Sequence, residues 1–216
     1  MTTSTELNRL AALLQQGSAA AVKELTQSLL AAGAEPQQIL NEGLIAGMSE
    51  VGEKMRTGAM FLPEVLQCAS VMKAAMEILT PHLLTSGARS PGRIVLGTVK
   101  GDMHDIGKNL VGIMLRGAGF EVIDLGTNTP PEKFIETIQR EQPHILGMSA
   151  MLTTTMLHMK KTIAAIAAAN LREQVKIIIG GASVSQRFAD EIGADGYAKD
   201  AVAAVALVKT LLAQHA

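Results

Sequence analysis

The second half of the chain alternates short, uninterrupted apolar runs with longer helical patterns, and this alternation constrains the fold most. The apolar runs predict strands at 94–99, 121–125, 145–149, 175–179 and 196–198, and helices at 108–117, 131–141, 154–169, 184–192 and 201–213. Strands without polar alternation are covered on both faces, which is typical of parallel sheets. Five such units predict an α/β, doubly wound, flavodoxin-like five-stranded parallel sheet with strand order 2-1-3-4-5.

The first 84 residues show helical periodicity only. Turns at Gly17, Gly33 and Thr57-Gly58 divide them into four helices, the last of which ends at Pro81. Short turns between helices favour an N-terminal antiparallel four-helix bundle. The apolar stretch 60–62 at the third turn has two interpretations, a hydrophobic staple for the fourth helix or side chains that project from the end of the bundle.

A segment of small residues separates the two patterns. Residues 85–92 contain one proline and two glycines and show no periodicity, which predicts a linker. We therefore expect a helical domain at 1–88 and a Rossmann-like domain at 89–216.

Composition excludes several classes of protein. The net charge is −1 and aromatic residues make up 2%, so neither a basic face nor a stacking platform for nucleic acid is expected. No apolar run reaches the roughly 18–20 residues that span a bilayer, and no signal peptide is apparent, so no membrane partner is expected. The single cysteine, Cys68, predicts a reducing, cytoplasmic location, and its helical setting favours a buried thiol over a reactive one.

The first strand leads into a loop that combines glycine, aspartate and histidine. His104 lies between Asp102 and Asp105 at the carboxyl end of this strand, where open α/β sheets bind ligands. The residues leave three interpretations open: His104 caps a helix, the two aspartates bind a hard cation, or His104 is an axial ligand to a metal that a cofactor brings. In the last case Asp102 would hold the other ring nitrogen. The remaining histidines lack ligand spacing, so a zinc site is not expected.

Two further loops follow the third and fourth strands. The first contains Ser149 and the hydroxyl run Thr153–Thr155, and the second contains Gly180-Gly181. Consecutive glycines indicate that something approaches the backbone closely. Small residues and short hydroxyls predict a narrow slot at the sheet edge, and the absence of the GxxxxGK[ST] and GxGxxG patterns argues against a phosphate cradle.

The run DMHDIG at 102–107 resembles the DxHxxG motif of cobalamin-binding domains. The family's SxL and GG motifs follow at matching distances, since 41 residues separate Gly107 from Ser149 and 28 separate Met151 from Gly180. Three motifs at these separations are specific, although each alone is a weak signal.

The helical half resembles the methylcobalamin cap of methionine synthase in Val51-Gly52 and in residues 60–65. The resemblance therefore covers about residues 5–213. It extends to the stand-alone corrinoid proteins of methylamine, methanol, betaine and aryl-ether methyltransferase systems. It implies a four-helix cap followed by a B12-binding domain.

The resemblance implies that the chain binds cobalamin base-off, as methylcobalamin or cob(I)alamin, with His104 as the lower axial ligand to cobalt. Asp102 would accept a hydrogen bond from His104, and Thr155 would continue this relay. The resemblance leaves Asp105 without a role. The residues implied to contact the cofactor are Asp102, His104, Gly107, Ser149, Met151, Thr153, Thr155, Gly180 and Gly181.

The upper face of the cofactor would be shielded by Met55, Leu62 and Val65. Two of the implied residues depart from the family pattern. Met151 replaces the leucine of SxL, a change that conserves volume, and Met55 replaces an aromatic residue of the cap, which gives a softer shield.

The function implied is that of a non-catalytic methyl carrier. A substrate-specific methyltransferase would load the methyl group, and an acceptor methyltransferase would pass it to tetrahydrofolate or coenzyme M. A reductive activase would restore the cofactor, and the linker at 85–92 would act as the hinge of the cap. Two alternatives share the Asp-His loop, the B12-binding subunit of an adenosylcobalamin mutase and a B12-dependent sensor. The sequence does not identify the methyl donor.

Overall fold

The computed structural model describes residues 3–85 and 90–214. They form two compact units. One holds the described residues through Ser90 together with Gly117–Gly119, and the other holds Pro91–Arg116 and the described residues from Phe120 onward. The expected domain boundary at 88/89 and half of the expected hinge, residues 86–89, lie outside the described residues. Among the described residues, no helix is both long enough and apolar enough to cross a membrane.

The first unit is helical. Its elements are α1 (Thr3–Gln15), α2 (Ala19–Ala31), α3 (Pro36–Gln38), a π-helical segment (Ile39–Ile45), α4 (Ala46–Thr57) and α5 (Leu62–Thr85). The apolar stripes that predicted these helices face inward, because Leu10, Leu14 and Leu79 are completely buried. Helix α1 packs on α2 and α4, and α5 packs on α2 and α4.

Two details of the helical unit differ from the sequence prediction. The third predicted helix contains the π-helical segment Ile39–Ile45, and the fourth does not end at Pro81 but continues to Thr85. Proline removes one N–H donor, but it fixes φ at a helical value. Because Pro81 is exposed, the helix α5 loses one hydrogen bond there without ending. The predicted break at Gly58 is confirmed, since Gly58 closes α4 with a φ of 78°.

The second unit contains the predicted parallel sheet. Its strands are β1 (Arg93–Thr98), β2 (Glu121–Asp124), β3 (Ile145–Ser149), β4 (Lys176–Gly180) and β5 (Gly196–Ala198). Their order is β2-β1-β3-β4-β5 and every pairing is parallel, which confirms the predicted topology. The helices are α6 (Ile106–Gly117), α7 (Pro131–Glu141), α8 (Thr153–Ala168), α9 (Gln186–Ile192) and α10 (Ala201–Ala213), with a 3-10 turn at Arg172–Gln174.

The core of the sheet unit lies on both faces of the central strands. Val95 and Leu146 lie on one face, where they cluster with the buried Phe134 of α7. Their chain neighbours Ile94 and Ile145 lie on the other face and are completely buried too. The double-sided burial explains why these strands are uninterrupted apolar runs in the sequence.

The register of the sheet aligns the carboxyl ends of four strands. Thr98 at the end of β1 pairs with Ser149 of β3, Ser149 pairs with Gly180 of β4, and Gly180 pairs with Ala198 of β5. The loops that carry the Asp-His, Ser-Thr and Gly-Gly motifs therefore leave the sheet side by side, as their topology predicts.

Candidate functional site

The loop between β1 and α6, residues 99–105, is here named the histidine loop. It turns at Gly101, whose φ of 81° favours glycine. Asp102 follows this turn and is completely buried, whereas 54% of the His104 side chain is exposed. Oδ1 of Asp102 lies 2.7 Å from Nδ1 of His104 and accepts the His104 backbone N–H at 3.0 Å. One carboxylate oxygen therefore fixes both the backbone and the ring of His104.

The second oxygen of Asp102 binds residues that follow β3. Oδ2 accepts the Thr155 hydroxyl at 2.6 Å and the Met151 backbone N–H at 2.8 Å. Burial alone would raise the pKa of Asp102, but the hydrogen bonds from Thr155, Met151 and His104 together hold that pKa well below its usual range. An ionised carboxylate only accepts hydrogen bonds, so we assign the shared proton to Nδ1 of His104. In the neutral ring, Nε2 is then the nitrogen with a lone pair.

These contacts do not support the helix-cap or hard-cation interpretations of the histidine loop. The ring of His104 bonds to Asp102 and makes no recorded bond to the start of α6. Asp105 instead accepts from Asn109, by its carbonyl at 2.7 Å and by Oδ2 at 3.0 Å, which gives it a structural role that the sequence did not reveal. The described residues contain no group of three or more His, Cys, Asp or Glu side chains placed to hold a metal ion.

The Gly-Gly loop has a different explanation from the one that the sequence suggested. Gly181 has a φ of 126°, and a Cβ atom there would lie 1.9 Å from the carbonyl oxygen of Ala150. A Cβ atom on Gly180 would lie 3.0 Å from the carbonyl oxygen of Ala198. The close approach is therefore that of neighbouring backbone, which joins the loops after β3, β4 and β5 tightly. A ligand is not needed to explain these two glycines.

The other predicted slot residues lie on this edge with different exposures. Ser149 is half-buried, Thr153 is exposed, and 47% of Met151 is exposed. Gly107 lies in the first turn of α6, and no described atom outside its immediate surroundings lies within 4 Å of the position that its Cβ would take. Packing within the protein therefore does not explain a glycine there, although glycine weakens a helix by about 1 kcal/mol relative to alanine.

Exposed apolar side chains accompany the histidine. Met103 is 69% exposed and Ile106 is 74% exposed, and the two flank His104 in the chain. Leu152, 45% exposed, follows Met151 in the loop after β3. Sequence reasoning did not assign Met103, Ile106 or Leu152 to the site, although apolar residues inside an otherwise polar loop were an available signal.

The predicted shielding residues of the helical unit lie on α4 and α5. Met55 and Leu62 are half-buried, whereas Val65 is completely buried. Phe61 is 68% exposed, and its N–H donates to Glu64 at 2.8 Å, which is half of a capping box at the start of α5. The exposure of Phe61 favours projection at this turn over a staple formed by its own side chain.

Comparisons with known proteins agree with the motifs. A family profile described as "B12 binding domain" matches residues 92–206, and a second with the same description matches residues 6–80. The chain is 42% identical to trimethylamine corrinoid protein 2 of Methanosarcina mazei over 88% of each chain. It is 45% identical to the dimethylamine corrinoid protein of Methanosarcina barkeri over 83% of this chain and 84% of that one. Its fold is similar to a chain in the methanol:cobalamin methyltransferase complex of Methanosarcina barkeri, with a TM-score of 0.87, 29% identity, and coverage of 99% of this chain and 81% of that one.

Proposed function

The chain belongs to the family of B12-binding corrinoid proteins and binds cobalamin, and on that premise we propose that it carries a methyl group between two methyltransferases. The observation that carries this proposal is the exposed imidazole of His104, whose Nδ1 is held by the buried carboxylate of Asp102. A lone nitrogen donor with one open position suits a metal that arrives with most of its ligands already in place.

The residues at the sheet edge fit such a cofactor. Nε2 of His104 has a lone pair and no hydrogen bond recorded from the described residues. Met103 and Ile106 are exposed apolar side chains on either side of it, which a large macrocycle would cover. Gly107 leaves open space in the first turn of α6, where a larger residue would narrow the approach.

The chain contributes orientation and electrostatics to the reaction. Cobalamin, when bound, supplies the cobalt that accepts and returns the methyl group. His104 would hold the cobalt through Nε2. Asp102 keeps the proton on Nδ1 and fixes the plane of the ring, which makes Nε2 a stronger donor. Thr155 and Met151 hold Asp102 ionised in its buried position.

We further propose that Ser149, Met151 and Thr153 line the path of the nucleotide tail beside the sheet. Gly180 and Gly181 would line the same path, where the close approach of the neighbouring backbone leaves no room for a side chain. Shielding of the upper face by Met55, Leu62 and Val65 stays a prediction, as does a hinge at 85–92. Complete burial makes Val65 the least accessible of the three shielding residues.

The partners proposed are methyltransferases. The relatives are corrinoid proteins named for trimethylamine and dimethylamine, and the similar fold comes from a complex with a methanol:cobalamin methyltransferase. We propose that a substrate-specific methyltransferase loads this chain and that an acceptor methyltransferase unloads it onto tetrahydrofolate or coenzyme M, with a reductive activase as the third partner. The chain would then be a carrier without catalysis of its own. A cytoplasmic location stays a prediction.

Reconstitution with hydroxocobalamin tests the proposal. The wild-type protein, H104A and H158A are compared by their visible spectra. His158 lies on α8 and takes no recorded part in the bonds of Asp102, so H158A serves as the control. We expect H158A to match the wild type and H104A to show a shifted spectrum and weaker binding. A spectrum that H104A leaves unchanged would rule out His104 as the cobalt ligand.

A second experiment separates a carrier from the two alternatives. The reduced, reconstituted protein is offered methylated amines, methanol, betaines and aryl ethers together with candidate methyltransferases. A carrier gains a cobalt-bound methyl group and passes it on. A preference for an adenosyl upper ligand without methyl transfer would instead indicate a mutase subunit or a sensor.

A further inference from the structure

A second loop lies against the histidine loop and holds it. This supporting loop, residues 125–130, connects β2 to α7. Its Gly126 carbonyl accepts the Thr98 N–H at 2.9 Å, and its Thr129 N–H donates to the Thr98 carbonyl at 2.9 Å. The Thr98 hydroxyl in turn donates to the carbonyl of His104 at 3.0 Å. The end of β1 is therefore bonded to the supporting loop on one side and to the histidine loop on the other.

Asn128 makes the most direct contact between the two loops. Its Oδ1 accepts the Gly101 N–H at 2.8 Å, and its backbone N–H donates to the Asp102 carbonyl at 2.9 Å. Asn128 has a φ of 50°, a left-handed conformation that asparagine, aspartate and glycine tolerate best. One residue thus binds both Gly101 and Asp102, the two residues that turn the chain toward His104.

The supporting loop is itself anchored to the helix that follows the histidine loop. Lys108 in the first turn of α6 is buried, and its Nζ lies 2.6 Å from both carboxylate oxygens of Asp124. Oδ1 of Asp124 also accepts the Gly126 N–H at 2.9 Å. A cation is disfavoured at the start of a helix, and Asp124 offsets this charge. Lys108, in the helix after the histidine loop, is therefore linked through Asp124 to Gly126 in the supporting loop.

We infer that the side-chain oxygen of Asn128 positions the Asp102–His104 pair for the cofactor. Asn128 does not reach the ring of His104 in any recorded contact and acts through Gly101 and Asp102. This inference rests on the proposed function, in which Nε2 of His104 binds cobalt. Since Asn128 is exposed, its replacement leaves the core of the sheet unit intact.

Two variants separate the acceptor from the backbone conformation. N128G keeps the left-handed conformation but removes Oδ1, whereas N128D keeps both an oxygen acceptor and tolerance of that conformation. In the cofactor-free protein, we expect amide exchange at Gly101 to be about 3- to 10-fold faster in N128G, the effect of losing one hydrogen bond, and within about 2-fold of wild type in N128D. Nitrogen-15 NMR of the His104 ring should show less of the Nδ1-protonated form in N128G alone.

Loading with hydroxocobalamin completes the test. We expect the dissociation constant to rise about 3- to 10-fold in N128G, with the visible spectrum displaced toward that of H104A, and N128D to match the wild type. Urea unfolding of each variant confirms that it is folded. If H104A alters the spectrum while N128G matches the wild type in Gly101 exchange, ring tautomer and affinity, the inference about Asn128 is wrong. If H104A itself has no effect, the proposed function fails first.

Discussion

The hydroxyl of Thr155 provides the shortest recorded hydrogen bond to the buried carboxylate, and replacing it by valine measures what that bond contributes. Valine keeps the shape and the β-branch but removes the donor that lies 2.6 Å from Oδ2 of Asp102. Asp102 is completely buried and Thr155 is 6% exposed, so water has little access to replace the bond. A hydrogen bond to a charged group contributes about 1.5–3 kcal/mol, so we expect the cofactor-free T155V protein to lose about 2 kcal/mol of unfolding free energy at pH 7.

The size of this loss depends on pH with a defined sign. The pKa of Asp102 is lowered in the folded state, so its carboxylate adds stability that is present above the unfolded-state pKa and lost as the pH falls through the folded-state pKa. T155V moves the folded-state pKa back toward the ordinary value of about 3.9. The difference between T155V and wild type should therefore be constant above about pH 5 and narrow only as the pH falls through the folded-state pKa of T155V, which lies below about 3.9.

Tyrosine fluorescence offers a probe of the sheet unit. The protein has one tyrosine and no tryptophan, and Tyr197 lies in β5. Urea unfolding at pH 7 and in steps down to about pH 2.5 compares wild type, T155V and T154V, where exposed Thr154 on the same helix provides the matched control. T155S, which restores the hydroxyl, should recover most of the loss. Equal stability of T155V and T154V at pH 7, or a gap between T155V and wild type that widens as the pH falls, would refute the assigned role of this bond.

Two further pairs of substitutions test packing, one pair in each unit. G181A would place a methyl group 1.9 Å from the Ala150 carbonyl oxygen at a φ of 126°, so we expect urea unfolding to show a free energy of unfolding lower by at least about 3 kcal/mol. G193A, which has a φ of 74° but open space around the added methyl group, should lower it by only about 1 kcal/mol. Thr26 in α2 has a completely buried hydroxyl with no hydrogen-bond partner among the described residues, so T26V should leave stability unchanged or raise it by about 1 kcal/mol, whereas T26S should lower it. Thermal unfolding followed by circular dichroism measures both variants, and a clear loss of stability in T26V would show that the hydroxyl is hydrogen-bonded.

The order of the sheet could be predicted because strands buried on both faces are uninterrupted apolar runs in the sequence. The run 145–149 was predicted with both of its observed ends, and β1 and β4 are each shifted by one residue. The end of α5 was predicted wrongly at Pro81, because a proline can remain in a helix where its ring is exposed. The π-helical segment Ile39–Ile45 was missed because its 7 residues are too few to establish a spacing of apolar residues that differs from that of the α-helical turns around it.

The hydrogen bonds of the site could be predicted only where both partners are side chains. The contacts of Asp102 with His104 and Thr155 agree with the relay that the family resemblance implied. The N–H of Met151 binds the same carboxylate, but a backbone donor is common to nearly every residue and has no sequence signal. The glycines at 180–181 were correctly recognised as a close approach, while the neighbouring group proved to be the protein's own backbone.

The alignment of Thr98 with Ser149 has a consequence for how the protein matures. The two bonds that reach Oδ2 of Asp102 join residues 49 and 53 positions apart, and both depend on the pairing of β1 with β3. Contacts of such sequence separation form after the local helices, because the intervening chain must first be closed into a loop. A growing chain that has not yet supplied β3 cannot desolvate this carboxylate and cannot hold the imidazole in one tautomer. The arrangement of Asp102 and His104 is therefore complete only in chains whose central strands have already paired.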